Sequence, residues 1–134
     1  MKSKLVITLG IIITVSVAIL IMLLSISKPT TFEVKDGDII IGGSFGVTVP
    51  VSGITGLKLI EDPPKIVTRT NGSGVGTVYK GEFTLEGNVK ARLYADASKP
   101  PFITFSFEDT VFYINSATDE ELQALYQILS DAHN

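Results

Sequence analysis

The chain has 134 residues, room for one ordinary domain, with 45% hydrophobic residues, no cysteine, a single histidine and a formal charge of −3. No disulfide can support the fold, and the one histidine, His133, lies at the chain's end, which removes the usual Cys/His zinc sites and His-based triads. Beyond Lys2 and Lys4 there are nine basic and fourteen acidic residues and no cluster of four or more Lys/Arg, so neither nucleic acid nor an anionic headgroup is an expected partner.

The first element runs from Leu5 to Ile26, 22 residues without a charge. As a helix it would extend about 33 Å, enough for a hydrocarbon core of about 30 Å. A cleaved signal peptide is the rival reading, with Lys2 and Lys4 as its positive region and Ser25-Ile26-Ser27 at cleavage-site spacing. The apolar run exceeds the roughly 7–15 residues of such cores, which favours a retained anchor. The lysines favour a cytoplasmic N-terminus and an external C-terminal domain. Gly10, Thr14 and Ala18 recur at four-residue spacing, a small-residue face on which two helices could form a weak homodimer. The division expected is therefore an anchor over residues 1–27 and a folded domain over 28–134, joined by the Ser27–Thr31 linker.

The rest alternates as strands. Asp36-Gly37 divides two short extended runs as a hairpin turn would. Pro50 argues against an uninterrupted central strand, and Asp62-Pro63-Pro64 is a stop. In "GEFTLEGNVKARLYA", placing Phe83 and Leu85 on one face with Val89, Ala91, Leu93 and Ala95 requires Leu85 to oppose Val89. Glu86-Gly87-Asn88 then forms a three-residue loop. A further hairpin sets Ile103, Phe105 and Phe107 beside Phe112 and Ile114, with Glu108-Asp109 at the bend. The period then changes: Leu122, Leu125, Tyr126 and Leu129 form a helical stripe, and Thr118 with Glu121 has capping-box spacing. The expected fold is mainly β, about seven strands closed by one amphipathic helix.

"RTNGSGVGTVYKG" holds the only stretch with the look of a phosphate cradle. Gly72, Gly74 and Gly76 lack the G-x-G-x-x-G spacing, no helix pattern follows, and no glycine-lysine-Ser/Thr appears. The reading is a flexible loop, with Asn71-Gly72 as a turn pair. Arg69, Asn71, Gly72, Gly74, Gly76 and Lys80 are its candidate binding residues. Elsewhere, Glu33, Asp36 and Asp38 lack a calcium-loop pattern and read as solvated turn acids. Nothing places Ser52 beside Lys58 as a dyad. Tyr94 and Tyr113 fall on polar faces of their strands and are candidate binding aromatics. No catalytic residue, cofactor site or metal site is assigned.

The succession "VPVSGI", "RTNGSG", "GEF", "ARLYA" and "FYINSATDEELQALYQIL", covering roughly Thr31 to Ala132, resembles a family of bacterial pleckstrin-homology-like domains often preceded by membrane segments. The resemblance implies a bent, partly open barrel with the C-terminal helix across one end, and no catalytic residues. Phosphoinositide binding, known for eukaryotic pleckstrin-homology domains, is not carried over, because the basic cluster it needs is missing. The function expected is a membrane-anchored, non-enzymatic module with a protein partner. The alternative is a small-molecule-binding or hydrolytic domain with its site on the glycine-rich stretch.

Overall fold

The computed structural model describes residues 2–27 and 30–133; of the expected linker, Lys28 and Pro29 lie outside them. The first helix, α1 (Lys2–Ser27), is apolar all round. The side chains of Leu5, Ile12 and Leu20 are each at least half exposed. Its threonine hydroxyls are satisfied inside the helix, Thr8 donating to the Lys4 carbonyl and Thr14 to that of Gly10, both at 2.8 Å. Lys2–Leu20 is long and apolar enough to cross a membrane, a test that a signal sequence also passes.

Nine strands follow among the described residues, where about seven were expected. They form two sheets and no closed barrel. The small sheet runs in order β1 (Phe32–Lys35), β2 (Asp38–Ile41), β3 (Val47–Pro50). Asp36 and Gly37 make the β1–β2 turn with φ of 54° and 80°, the pair of positive values that matches the twist of a tight hairpin. Pro50 ends β3 at an edge of this sheet, where a missing N–H breaks no ladder.

The large sheet has the order β4 (Ile54–Ile60), β8 (Phe102–Phe107), β9 (Thr110–Ile114), β7 (Val89–Asp96), β6 (Val78–Leu85), β5 (Ile66–Val75). All its pairings are antiparallel except β7–β9, because β9 turns back from β8 into the gap beside β7. The two hairpins read from alternation have the expected register: Leu85 opposes Val89, and Ile103 and Phe105 oppose Ile114 and Phe112. The latter phenyl rings stack with centroids 4.8 Å apart.

The strand count exceeded expectation in part because "RTNGSGV" is strand rather than loop. Gly72 and Gly74 recur at the period of a pleat and pair with Gly81 and Tyr79. A Cβ on Gly72 would stand 2.5 Å from the Lys80 carbonyl oxygen and 3.1 Å from the Phe83 ring; one on Gly74 would meet the Tyr79 ring at 3.3 Å. Aromatic rings on β6 thus lie against the glycines of β5, the cross-strand arrangement that compensates for glycine in a sheet. The turn falls later, at Gly76-Thr77.

The main core lies between one face of the large sheet and the small sheet. Phe105, Phe112, Ile103, Ile114 and Tyr94 meet Ile39, Ile41 and Val49 there. Helix α2 (Asp119–His133) closes it with Leu122, Leu125 and Leu129, all buried. Each such leucine contributes roughly 1.5–3 kcal/mol of transfer free energy. Thr118 caps the helix by accepting from the Glu121 N–H at 3.2 Å, and Asp119, Glu120 and Glu121 complement its positive end. On the other face of the large sheet, Phe83, Leu85, Ala91 and Leu93 form a second cluster with Ile66, Tyr79 and Tyr113.

Candidate functional site

The residues expected to form a binding loop are spread along the β5–β6 hairpin. Arg69 pairs with Phe83 and Lys80 with Tyr94, so by strand alternation the two cations that flank the glycines project from opposite faces of the sheet. Asn71 and Gly74 are exposed on β5, Gly72 is half-buried beneath Phe83, and Gly76 sits in the turn at φ 61°. No phosphate cradle results. The binding-aromatic expectation is corrected too: Tyr94 is 1% exposed and belongs to the main core, and Tyr113 is half-buried beside Phe102. Ser52 and Lys58 are both exposed, on a 3-10 turn and on β4. Glu33, Asp36 and Asp38 do not converge; no group of three or more potential His, Cys, Asp or Glu ligands exists among the described residues.

Among the described residues, two features are singled out by their geometry. The first is the outer edge of β5. Among the described residues this ten-residue strand pairs only with β6, although α1 also approaches it, and most of its length is exposed. Its register is interrupted between Ile66 and Thr68 and again between Arg69 and Asn71, whereas Asn71–Val75 is continuous. Bulges and charges are the usual guards of an exposed edge. The first half of β5 is therefore guarded, and the second half presents an unbroken row of backbone groups.

The second is a cavity of about 170 Å³ on the face of β6 and β7 that also carries the main core. Two side chains build its walls. The Asp96 carboxylate accepts from the Thr77 hydroxyl at 2.7 Å, the Ser98 hydroxyl at 2.6 Å and the Ser98 N–H at 3.0 Å. These hydrogen bonds, led by that from the Ser98 hydroxyl, hold its pKa below the usual carboxylate value. Asn115 accepts from the Asp96 N–H at 2.9 Å and donates to the carbonyls of Asp96 and Lys99 at 2.8 and 3.0 Å. The β5–β6 turn, the β7–β8 connection and the start of the β9–α2 connection are thereby pinned together. Lys80 and Lys99 line the opening, with Thr30, Val78, Ser116 and Ala117 around them. Burial lowers the pKa of Lys80.

Tyr94 joins this cavity to a polar row. Its hydroxyl donates to the Phe45 carbonyl at 2.6 Å and accepts from Arg92 at 3.2 Å, and Arg92 is paired with Glu82 at 2.7 Å. Burial raises the tyrosine's pKa, opposed by the neighbouring guanidinium.

Sequence reasoning picked out Lys80 but missed Asp96, Lys99, Asn115 and Ser116. The Asp96-x-Ser98 spacing was the available signal, since an aspartate commonly binds the backbone two residues on. Nothing in the sequence marks Asn115, whose role depends on β9 lying beside β7. Comparison of the chain with family models, with curated proteins and with solved structures finds no match.

Proposed function

We propose that this chain is a membrane-anchored, non-enzymatic interaction module. In this reading α1 spans the membrane, the β-domain stands outside it, and an extended segment of a protein partner adds to the Asn71–Val75 edge of β5. The observation that carries the reading is that edge: five residues in continuous register with β6 on one side and, among the described residues, with no strand paired on the other. Strand addition draws its affinity from backbone hydrogen bonds and needs no charged pocket, which suits a domain of formal charge −5. Support for the anchor comes from the all-round apolar surface of α1, uncovered along Lys2–Leu20 and at home in lipid. A relation to the bacterial pleckstrin-homology-like domains is supported by the order of elements, antiparallel strands ending in a helix that packs its apolar stripe on the sheets. The separation of Arg69 from Lys80 across the sheet argues against a headgroup site.

A photo-crosslinking residue placed at Asn71 or Val75 in the full chain, in intact cells, tests this. A discrete adduct is expected from both positions, absent from Ile128 on α2, and lost when the companion position carries lysine, a natural guard of edges. Equal labelling from Ile128, or labelling indifferent to the added lysine, contradicts strand addition. A C-terminal tag should be cleaved by protease added outside intact cells; a tag protected until the membrane is broken reverses the orientation.

A further inference from the structure

Val75 pairs with Val78 across the turn Gly76-Thr77, which makes these two a hydrogen-bonded pair. Hydrogen-bonded and non-hydrogen-bonded pairs alternate along an antiparallel ladder. Ser73 and Asn71 therefore also bond to β6, and Gly72 and Gly74 direct their N–H and C=O groups outward. Among the described residues no turn or loop supplies a backbone partner to either glycine. With α1 in place, Asn71, Gly74 and Val75 remain exposed. The break in register at Thr70 and the turn residue Gly76 lie equally far from Ser73, so the stretch between them is symmetric about that serine. It carries no charge.

We propose that the segment added at this edge is the same segment of a second copy of the chain, paired antiparallel about a two-fold axis at Ser73. This assignment rests on the strand-addition reading and names its partner. In this register Gly72 faces the partner's Gly74, and each such pair exchanges both N–H···O bonds through the outward groups. Ser73 meets the partner's Ser73 as a non-hydrogen-bonded pair, and Asn71 meets the partner's Val75. Arg69 falls opposite the partner's Thr77, so the ladder is free of the directly opposed like charges that destabilise pairing. The glycines favour this chain over a foreign strand. Phe83 lies over Gly72 and Tyr79 over Gly74, on one face of the sheet. Side chains of a foreign strand on that face would crowd both rings, whereas the partner's glycines leave a bare seam across which Phe83 approaches the partner's Tyr79. A ladder of this length is weak by itself. Residence in one membrane supplies the effective concentration it needs, so a chain alone in its bilayer keeps the edge open.

The chain has no cysteine, so one substitution adds a unique thiol. Full-length single-cysteine variants in zwitterionic proteoliposomes holding several copies each are oxidised with copper phenanthroline, and the covalent dimer is measured. Facing Cα atoms of a non-hydrogen-bonded pair stand about 4.5 Å apart, within the roughly 4.4–6.8 Å that a disulfide spans. Ser73→Cys should therefore link about tenfold faster than Val67→Cys, an exposed site on β5 that the two-fold axis carries far from its own copy. Asn71→Cys and Val75→Cys chains should link when mixed, and each only weakly alone. Both of those sites are exposed, so the mixture keeps the test decisive if Ser73→Cys disturbs folding. The proposal is overturned if the mixture links no faster than its components, or if a Ser73→Cys chain with the parent's denaturation midpoint links no faster than Val67→Cys. Should that happen while a photo-crosslinking residue at Asn71 still captures a different protein, the second copy is wrong and strand addition stands. Capture of nothing at either Asn71 or Val75 removes strand addition as well.

Discussion

The β8–β9 and β5–β6 hairpins belong to one sheet and are built to opposite rules. On β8, Phe102, Ile103, Thr104 and Phe105 are all buried, so the strand is covered on both faces, and its outer neighbour β4 covers its edge. On β5 most residues are exposed, two bulges break the ladder, and glycine takes the places where rings from β6 cross over. One hairpin is stabilised by burial on every side. The other is held by its pairing to β6 and, among the described residues, has no strand along its outer edge. Within one sheet, stability and availability for binding are thus assigned to different strands.

That contrast makes graded predictions. Phe105→Ala removes a stacked ring from the main core and should cost about 3–5 kcal/mol, read as a fall in the denaturation midpoint of the full chain in detergent. Val67→Ala, at a position 65% exposed on β5, should stay within about 0.5 kcal/mol. Equal costs at the two sites would erase the distinction between the hairpins.

Gly72→Ala is intermediate. Its new methyl would press on the backbone oxygen of Lys80 and the amide of Glu82 as well as on the Phe83 ring, so the hairpin must spread, at a cost of roughly 1–3 kcal/mol. Gly74→Ala meets only the side chain of Tyr79, which can move, and should cost less by the same measurement. A neutral Gly72→Ala would mean that β5 and β6 do not approach as closely as described.

Tyr94 lies on the seam between the two regions, and Tyr94→Phe should cost about 1–2 kcal/mol through the lost bond to the Phe45 carbonyl. It should also change the alkaline limb. Because burial raises the Tyr94 pKa in the folded state, its contribution is complete below the unfolded tyrosine value of about 10 and is lost as pH rises through the folded value. The stability difference between parent and variant should therefore shrink above about pH 10. A difference independent of pH would place that hydroxyl in water.

Much of this contrast is present in the sequence, and its hidden part has a physical cause. Alternation located the β6–β7 and β8–β9 hairpins to the residue, because each joins neighbours in the chain and every apolar position on a shared face constrains the register. Capping and period located α2. The glycines of β5 read as a loop because composition was weighed over periodicity. Their spacing of two was the strand signal, and it becomes intelligible only with Phe83 and Tyr79 lying across them. Tyr94 shares a strand face with Arg92, which reads as polar, yet the small sheet covers it through Phe45, a contact 49 residues away in the chain. The cavity was hidden for the same reason: Asp96 and Asn115 meet only because β9 inserts beside β7.

The central claim is that β5 carries an open edge in the intact protein, and amide hydrogen exchange on the full chain in nanodiscs measures it directly. Amides of β8 and β9 should exchange only through global unfolding. Along Asn71–Val75 those directed at β6 should be protected, and those directed outward should exchange orders of magnitude faster. Uniform protection along Asn71–Val75, equal to that of β8, would show the edge already covered and would contradict the account.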